Sequence, residues 1–132
     1  MVLWYDIWMS EQKSILVIDD DKALSSAIDS KFSDKGYRVV VCDNGTRAFE
    51  MLDAEKFDVV LTDLHMPEQD GFTVLNHMKD TKNSTTPAYV ITNLGSGHYC
   101  DKALEMGAKK CFVKSVVTLI DVVNIVDADL CS

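Results

Sequence analysis

Ser14-Ile15-Leu16-Val17-Ile18-Asp19 is an unbroken apolar run that closes on acids, Asp19-Asp20-Asp21. A strand exposed on one face alternates apolar with polar residues, so a continuous run of this length reads as a strand buried on both faces. Leu24, Ile28 and Phe32 follow at every fourth position, with Ala27 beside them, which is one apolar face of a helix. Gly36 stops that helix, because glycine takes the left-handed cap without strain. The same alternation continues to the end of the chain. Tyr37 to Cys42 is a second β-rich run, Asn44-Gly45 a turn, and Ala48, Met51 and Leu52 mark a second helix. Phe57 to Thr62 is a third strand ending in Asp63, and Val74, Leu75 and Met78 a third helix beyond Pro67 and Gly71. Thr81 to Pro87 is a polar connection before a fourth strand, Ala88 to Thr92. A loop with Gly95 and Gly97 leads to a fourth helix through Ala103 and Leu104, stopped by Gly107. Cys111 to Lys114 is a short fifth strand, and Val116 to about Asp129 a fifth helix.

Strands alternating with helices imply βαβ units and therefore a parallel sheet with helices on both faces. Right-handed crossovers leave few topologies, and the doubly wound order 2-1-3-4-5 is the natural one for five strands. The fold class is α/β, a doubly wound five-stranded parallel sheet with five helices. The length of 132 residues suits one domain, and the alternation uses up the chain, with no second domain expected within it.

Composition narrows the function. Thirteen Lys and Arg against 21 Asp and Glu leave a net charge of −8, with a pI near 4.7. That balance repels phosphate backbones and anionic lipid, so no direct nucleic-acid or membrane partner is expected. No apolar run approaches the ~20 residues of a membrane span, and the first residues lack the basic start of a signal peptide. The expected location is cytoplasmic. Cys42, Cys100, Cys111 and Cys131 are scattered without CxxC or metal-ligand spacing, so four free thiols in a reducing compartment are expected.

In an open α/β sheet the ligand sits beyond the carboxyl ends of the strands, near the point where strand order reverses. Strand one ends in Asp19-Asp20-Asp21, strand three in Asp63, strand four in Thr92 and strand five in Lys114. Singly, each has an ordinary role: a helix cap, a β-former, a solvated lysine. Together they put carboxylates, a hydroxyl and an ammonium at one crevice. Crowded carboxylates stay ionised only beside a cation, and oxygen-only ligands with open positions suit Mg²⁺. A metal ion, a lysine and a hydroxyl can stabilise a transferring phosphoryl group, with one carboxylate as the nucleophile.

At these residues the chain resembles the receiver domains of two-component response regulators, CheY-like and flavodoxin-like in fold. The resemblance rests on Ile15-Leu16-Val17-Ile18-Asp19-Asp20-Asp21, then Asp58-Val59-Val60-Leu61-Thr62-Asp63-Leu64-His65-Met66-Pro67 with Gly71, then Val90-Ile91-Thr92, then Phe112-Val113-Lys114. It implies a receiver domain over 14–130, preceded by an N-terminal extension or expression leader over 1–13. Within that extension Trp4 and Trp8 share a helical face. The resemblance also implies that Asp63 is the phosphoacceptor. Asp19, Asp20, Asp63 and the backbone carbonyl of His65 would hold Mg²⁺, with Thr92 and Lys114 contacting the phosphoryl oxygens and Asp21 a helix cap. The implied partners are a sensor histidine kinase or histidine phosphotransfer protein, a downstream protein target, and a homodimer through the helix 4–strand 5–helix 5 face. Such a protein is a phosphorylation switch, not an enzyme with a metabolite substrate.

The chain departs from the family pattern at four places. Ser115 follows Lys114 where the family has proline after a cis bond; here the bond is either cis at a cost of roughly 2.5–4 kcal/mol, or trans with the lysine reaching differently. Cys111 holds the place of an aromatic switch residue and has no ring to rotate. Asn93 follows Thr92 where a small residue is usual, and His65 lies two residues after Asp63, so both flank the approach to the phosphoryl group. Rival readings are a Mg²⁺-dependent aspartyl-phosphate phosphatase, which would want an acid at His65, and a flavin module, whose phosphate Asp19-Asp20-Asp21 would repel. A degenerate receiver acting without phosphorylation is a further rival. Finally, Val116, Val117, Leu119, Ile120, Val122, Val123, Ile125 and Val126 cover most of helix five, more apolar surface than one buried face needs. The helix is either a contact surface or sunk deeply between the sheet and helix one.

Overall fold

The computed structural model describes residues 12–66, 68–93 and 97–131. Trp4 and Trp8, and Pro67 and Gly95, lie outside the described residues. The strands are β1 (Ser14–Ile18), β2 (Arg38–Cys42), β3 (Val59–Thr62), β4 (Ala88–Thr92) and β5 (Lys110–Val113). Alternating with them are α1 (Lys22–Asp34), α2 (Gly45–Ala54), α3 (Gly71–Met78), α4 (Gly97–Glu105) and α5 (Leu119–Cys131). All strand pairs are parallel and the sheet order is β2-β1-β3-β4-β5, as the alternation predicts.

The pleat sorts the apolar runs into two cores. Leu16, Ile18, Val60, Ala88 and Val90 face α2, α3 and α4, where Leu52, Val74 and Ala103 meet them. Ile15, Val17, Val59, Leu61, Tyr89, Ile91 and Phe112 face α1 and α5, packing on Ile28, Phe32, Val122, Val123 and Val126. Successive side chains of a strand point to opposite faces, so a run apolar at every position serves both layers at once.

Helix starts follow local chemistry. The side chains of Asp21, Asn44 and Asp70 accept from the backbone N–H groups of Leu24, Arg47 and Thr73, each satisfying one orphan donor. Asn44-Gly45 is thus the start of α2 and not a separate turn. Gly36 has φ +92°, and beyond it Tyr37 N–H closes back on Phe32 O at 3.1 Å. The fifth helix starts three residues later than its apolar run suggests. Val116 and Val117 N–H both donate to Val113 O in a turn, and Thr118 Oγ1 accepts from Asp121 N at 3.2 Å, making Thr118 the cap. Val116 is consequently 78% exposed and Ile120 54%, while Val122, Val123 and Val126 are buried: the helix sinks one face and leaves apolar surface outside.

The far end of α5 is tied by polar groups. Tyr37 Oη donates to Asp127 at 2.6 Å, and Tyr89 Oη donates to Asp129 at 2.8 Å, with Lys110 Nζ 2.9 Å from the same carboxylate. Burial, then the neighbouring carboxylate, raises the pKa of both tyrosines, and Lys110 with Tyr89 lowers that of Asp129. The polar stretch before β4 holds a buried anchor that hydropathy does not show. Asn83 accepts from Phe57 N–H and donates to the carbonyls of Leu52 and Glu55, all at 2.8 Å.

The cysteines correct the expectation of free thiols. Cys100 and Cys111 form a disulfide with Cα atoms 5.5 Å apart, while Cys42 is free and buried and Cys131 free and exposed. Spacing could not show this pair, because the fold itself lays α4 beside β5. Burial pushes the Cys42 thiol up to about 11.

Candidate functional site: the carboxyl edge of the sheet

Asp19, Asp20 and Asp63 lie where β1 and β3 run out, and at least one carboxylate oxygen of each lies within 4.8 Å of the others. Asp19 is 1% exposed and Asp63 5%, while Asp20 faces solvent. The backbone sets the two buried acids. Asp63 N–H donates to Ile18 O and Asp19 N–H to Cys42 O, so each residue extends the parallel ladder one step past its strand.

Both buried carboxylates divide their oxygens in the same way. Asp63 Oδ1 accepts from the N–H groups of Leu64 (2.7 Å) and His65 (3.2 Å), and Asp19 Oδ1 accepts from Asp21 N–H (2.9 Å). Each Oδ2 accepts from Lys114 Nζ, at 2.9 Å for Asp63 and 3.1 Å for Asp19. One ammonium therefore bridges two acids whose like charges would otherwise repel. Burial, ahead of the Asp63 charge, raises the Asp19 pKa despite the Asp21 N–H and Lys114. Burial alone would lower the Lys114 pKa, but its bonds and charge pairing with Asp63 and Asp19 prevail and raise it.

Lys114 reaches the site through a trans Lys114–Ser115 bond, since no cis peptide occurs among the described residues. Its N–H donates to Thr92 O at 2.8 Å, which aligns it with the end of β4. Thr92 is fully buried there; Asn93, Ser115 and His65 are exposed. Asp21 caps α1. Cys111 stands apart from the carboxylates, bonded to Cys100 and packed partly against the α2–α4 core.

Gly71 belongs to the site for a steric reason. A Cβ there would lie 2.2 Å from Asp63 O and 2.8 Å from Leu64 Cα, so α3 begins with its backbone directly against the Asp63 loop. Thr62 Oγ1 also donates to Asp63 O at 2.9 Å, fixing the same peptide. Neither contact is visible in spacing, although Gly71 is part of the quoted motif.

The donor set suits a hard cation: three carboxylates, with no thiolate or imidazole nitrogen among the described residues, and one acid open to solvent for water ligands. Such a pocket can also hold a phosphoryl group, because an ammonium already lies against the buried acid that would carry it.

Comparison with known proteins agrees. The model of the response regulator receiver domain family matches residues 15–126. The transcriptional regulatory protein ZraR of Klebsiella oxytoca is 36% identical over 104 residues, covering 79% of this chain and 23% of that protein. The receiver domain of the Francisella response regulator 1452 superposes with a TM-score of 0.82 at 25% identity, covering 90% of this chain and 97% of that one. The BeF3-activated DrrB receiver domain gives 0.81 at 25% identity, covering 92% and 99%. The chain spans less than half the length of such curated relatives, from 23% of ZraR to 46% of the regulatory protein CrdR of Helicobacter pylori. With the strand order, the carboxylate cluster and the lysine bridge in place, the match over 15–126 settles the family: this chain belongs to the response regulator receiver domains of two-component signalling.

Proposed function

We propose that the domain accepts a phosphoryl group on Asp63 from a phosphohistidine of a sensor kinase or phosphotransfer protein and signals by changing its contact surface. The observation that carries this reading is the Lys114 ammonium held between the buried Asp63 and Asp19 carboxylates. Asp63 Oδ2 attacks phosphorus, the P–N bond breaks, and the electron pair leaves with the imidazole, which is neutral after departure from its protonated form. Asp63 becomes an acyl phosphate, and attack of water on phosphorus later returns the carboxylate and inorganic phosphate. Lys114 then pairs with a phosphoryl oxygen in place of the Asp63 oxygen, and the Thr92 hydroxyl donates to another. Asp19, Asp20, Asp63 and the His65 carbonyl would hold Mg²⁺, which when bound neutralises charge on the phosphoryl oxygens.

His65, two residues past the acceptor, and Asn93, next to Thr92, are both exposed; they act on the approach of water and set the lifetime of the acyl phosphate. Tyr99 and Leu104 on α4, with Val116 in the turn before α5 and Ile120 in its first turn, are large apolar side chains left exposed, and they suit a protein contact, either a target or a second copy of the chain. The domain works in the cytoplasm on this reading; among the described residues no helix is long and apolar enough to cross a membrane.

Intact mass after incubation with acetyl phosphate and Mg²⁺ tests the proposal. One added phosphoryl group is expected, absent from Asp63→Asn and from a metal-free control. No gain from either acetyl phosphate or a phosphohistidine donor would leave an interaction module that works without phosphate.

A further inference from the structure

The helix α4 is weakly anchored by its own side chains. Of those described, only Ala103 is fully buried, whereas α1 sinks Ser25, Ile28 and Phe32, and α3 sinks Val74, Leu75 and Met78. Tyr99 and Leu104 are 38% and 45% exposed. A buried methyl group contributes far less than a buried Ile or Phe. Lys102 lies over the Phe72 ring at 4.4 Å, an exposed contact of modest strength. The strongest tie is covalent: Cys100 on α4 is bonded to Cys111 on β5, at a Cα separation ordinary for a disulfide.

The Cys111 end of that bond lies on the strand that leads to the phosphoryl site. Cys111 pairs with Val90, two residues before Thr92, and lies three residues before Lys114 on the same strand. Both cysteines are half-buried, so a reductant can approach, unlike the case of Cys42 in the core.

We propose that Cys100–Cys111 is a reversible redox-modification site, served by a dithiol reductant, whose state sets whether α4 is tied to the strand leading to Lys114. A thiolate of the dithiol attacks one sulfur, the S–S bond breaks, and the departing cysteine leaves with the electron pair and takes a proton. The second thiol of the dithiol attacks the mixed disulfide, freeing the other cysteine and closing the reductant's own disulfide. Two electrons and two protons pass to the protein, and a disulfide of the same class reverses the exchange. Oxidised, α4 is locked to β5. Reduced, it is held by Ala103 and non-covalent contacts and opens more often. The tether is independent of phosphorylation; its bearing on signalling rests on the function proposed above.

The test equilibrates the chain in mixtures of reduced and oxidised dithiothreitol, then alkylates it unfolded and weighs it. We expect alkylation of Cys42 and Cys131 alone at the oxidising end, all four cysteines at the reducing end, and reversal on return. Hydrogen exchange over 97–105 is expected to run about tenfold faster in the reduced form with β1 unchanged. Cys100→Ser and Cys111→Ser should match the reduced form in every buffer. A pair that is never oxidised, a bond that never reduces, or exchange differing by less than about twofold in the wild-type chain overturns the proposal without relying on any variant. Phosphoryl loading is read in the same samples: failure in both redox forms counts against the acceptor role of Asp63, while the exchange ratio still decides the tether.

Discussion

Asp19 carries a cost that its neighbours only partly offset. Its carboxylate is 1% exposed, and desolvation raises its pKa above the ordinary 3.8 even with the Lys114 ammonium 3.1 Å away. A raised carboxylate pKa means the folded state binds the proton more tightly than the unfolded chain, so the contribution of Asp19 to stability is most favourable below 3.8 and falls as pH climbs through the raised value. Neutralising Asp19 removes a desolvated charge and its repulsion with Asp63, and Lys114 is not left unpaired because it keeps Asp63 at 2.9 Å. Asp19→Asn is therefore expected to raise metal-free stability by about 1–2 kcal/mol, with the gap over wild type widening as pH rises through that value. Urea midpoints from pH 3.5 to 8 check both points, and a variant less stable than wild type at pH 8 would contradict them. Lys114 has the same sign of dependence in a far more alkaline range: its raised pKa keeps its contribution intact below 10.5 and loses it as pH climbs above that. The acids themselves are readable in the sequence because they stop apolar strands. Their division into one backbone-held oxygen and one lysine-held oxygen is not, since it arises only when β1, β3 and β5 lie side by side.

Elements differ in how plainly the sequence marks them. The central strands β1, β3 and β4 stand out because they are covered on both faces and no charged residue interrupts their runs, and Gly36 and Gly107 punctuate the helices by adopting φ of +92° and +107°. The start of α5 is harder to see, since Val116 and Val117 extend its apolar run upstream into a turn. The deciding signal was present as Thr118-Leu119-Ile120-Asp121, a capping pattern in which the Thr118 hydroxyl accepts the Asp121 N–H. Thr118→Ala should cost about 1 kcal/mol in the urea midpoint, with Ser largely restoring it. No loss would show that the turn at Val113 holds the helix start unaided. The tie between α4 and β5 had no local mark, because Cys100 and Cys111 are separated by a helix end and a glycine turn and meet only through the packing of two elements.

For the molecule as a whole, the proposed Mg²⁺ site would couple folding to metal. A net charge of −8 with three aspartates gathered at one end of the sheet leaves self-repulsion that a divalent cation relieves. A cation that binds the folded state alone stabilises it by mass action, ~1.4 kcal/mol at ten times its Kd. Mg²⁺ at neutral pH is thus expected to raise Tm by about 5 °C for a domain of this size. The gain should shrink as pH falls and protons displace the metal at Asp19; a gain independent of pH would place the ion elsewhere. The two layers of helices were legible from alternation, whereas the polar fastenings of Asn83, Tyr37 and Tyr89 were hidden, because each joins residues 26 to 90 positions apart. Those fastenings also give α5 a mechanical character. Two tyrosine hydroxyls and Lys110 grip its last turns through directional bonds, while its opening turns rest on the sheet mainly through apolar contact, which has no preferred direction. A rod fixed by its tail and resting on a smooth bearing at its head is a lever with the fulcrum at Asp127 and Asp129. Any swing about that fulcrum is largest at the opening turn of the helix, where Ile120 is exposed.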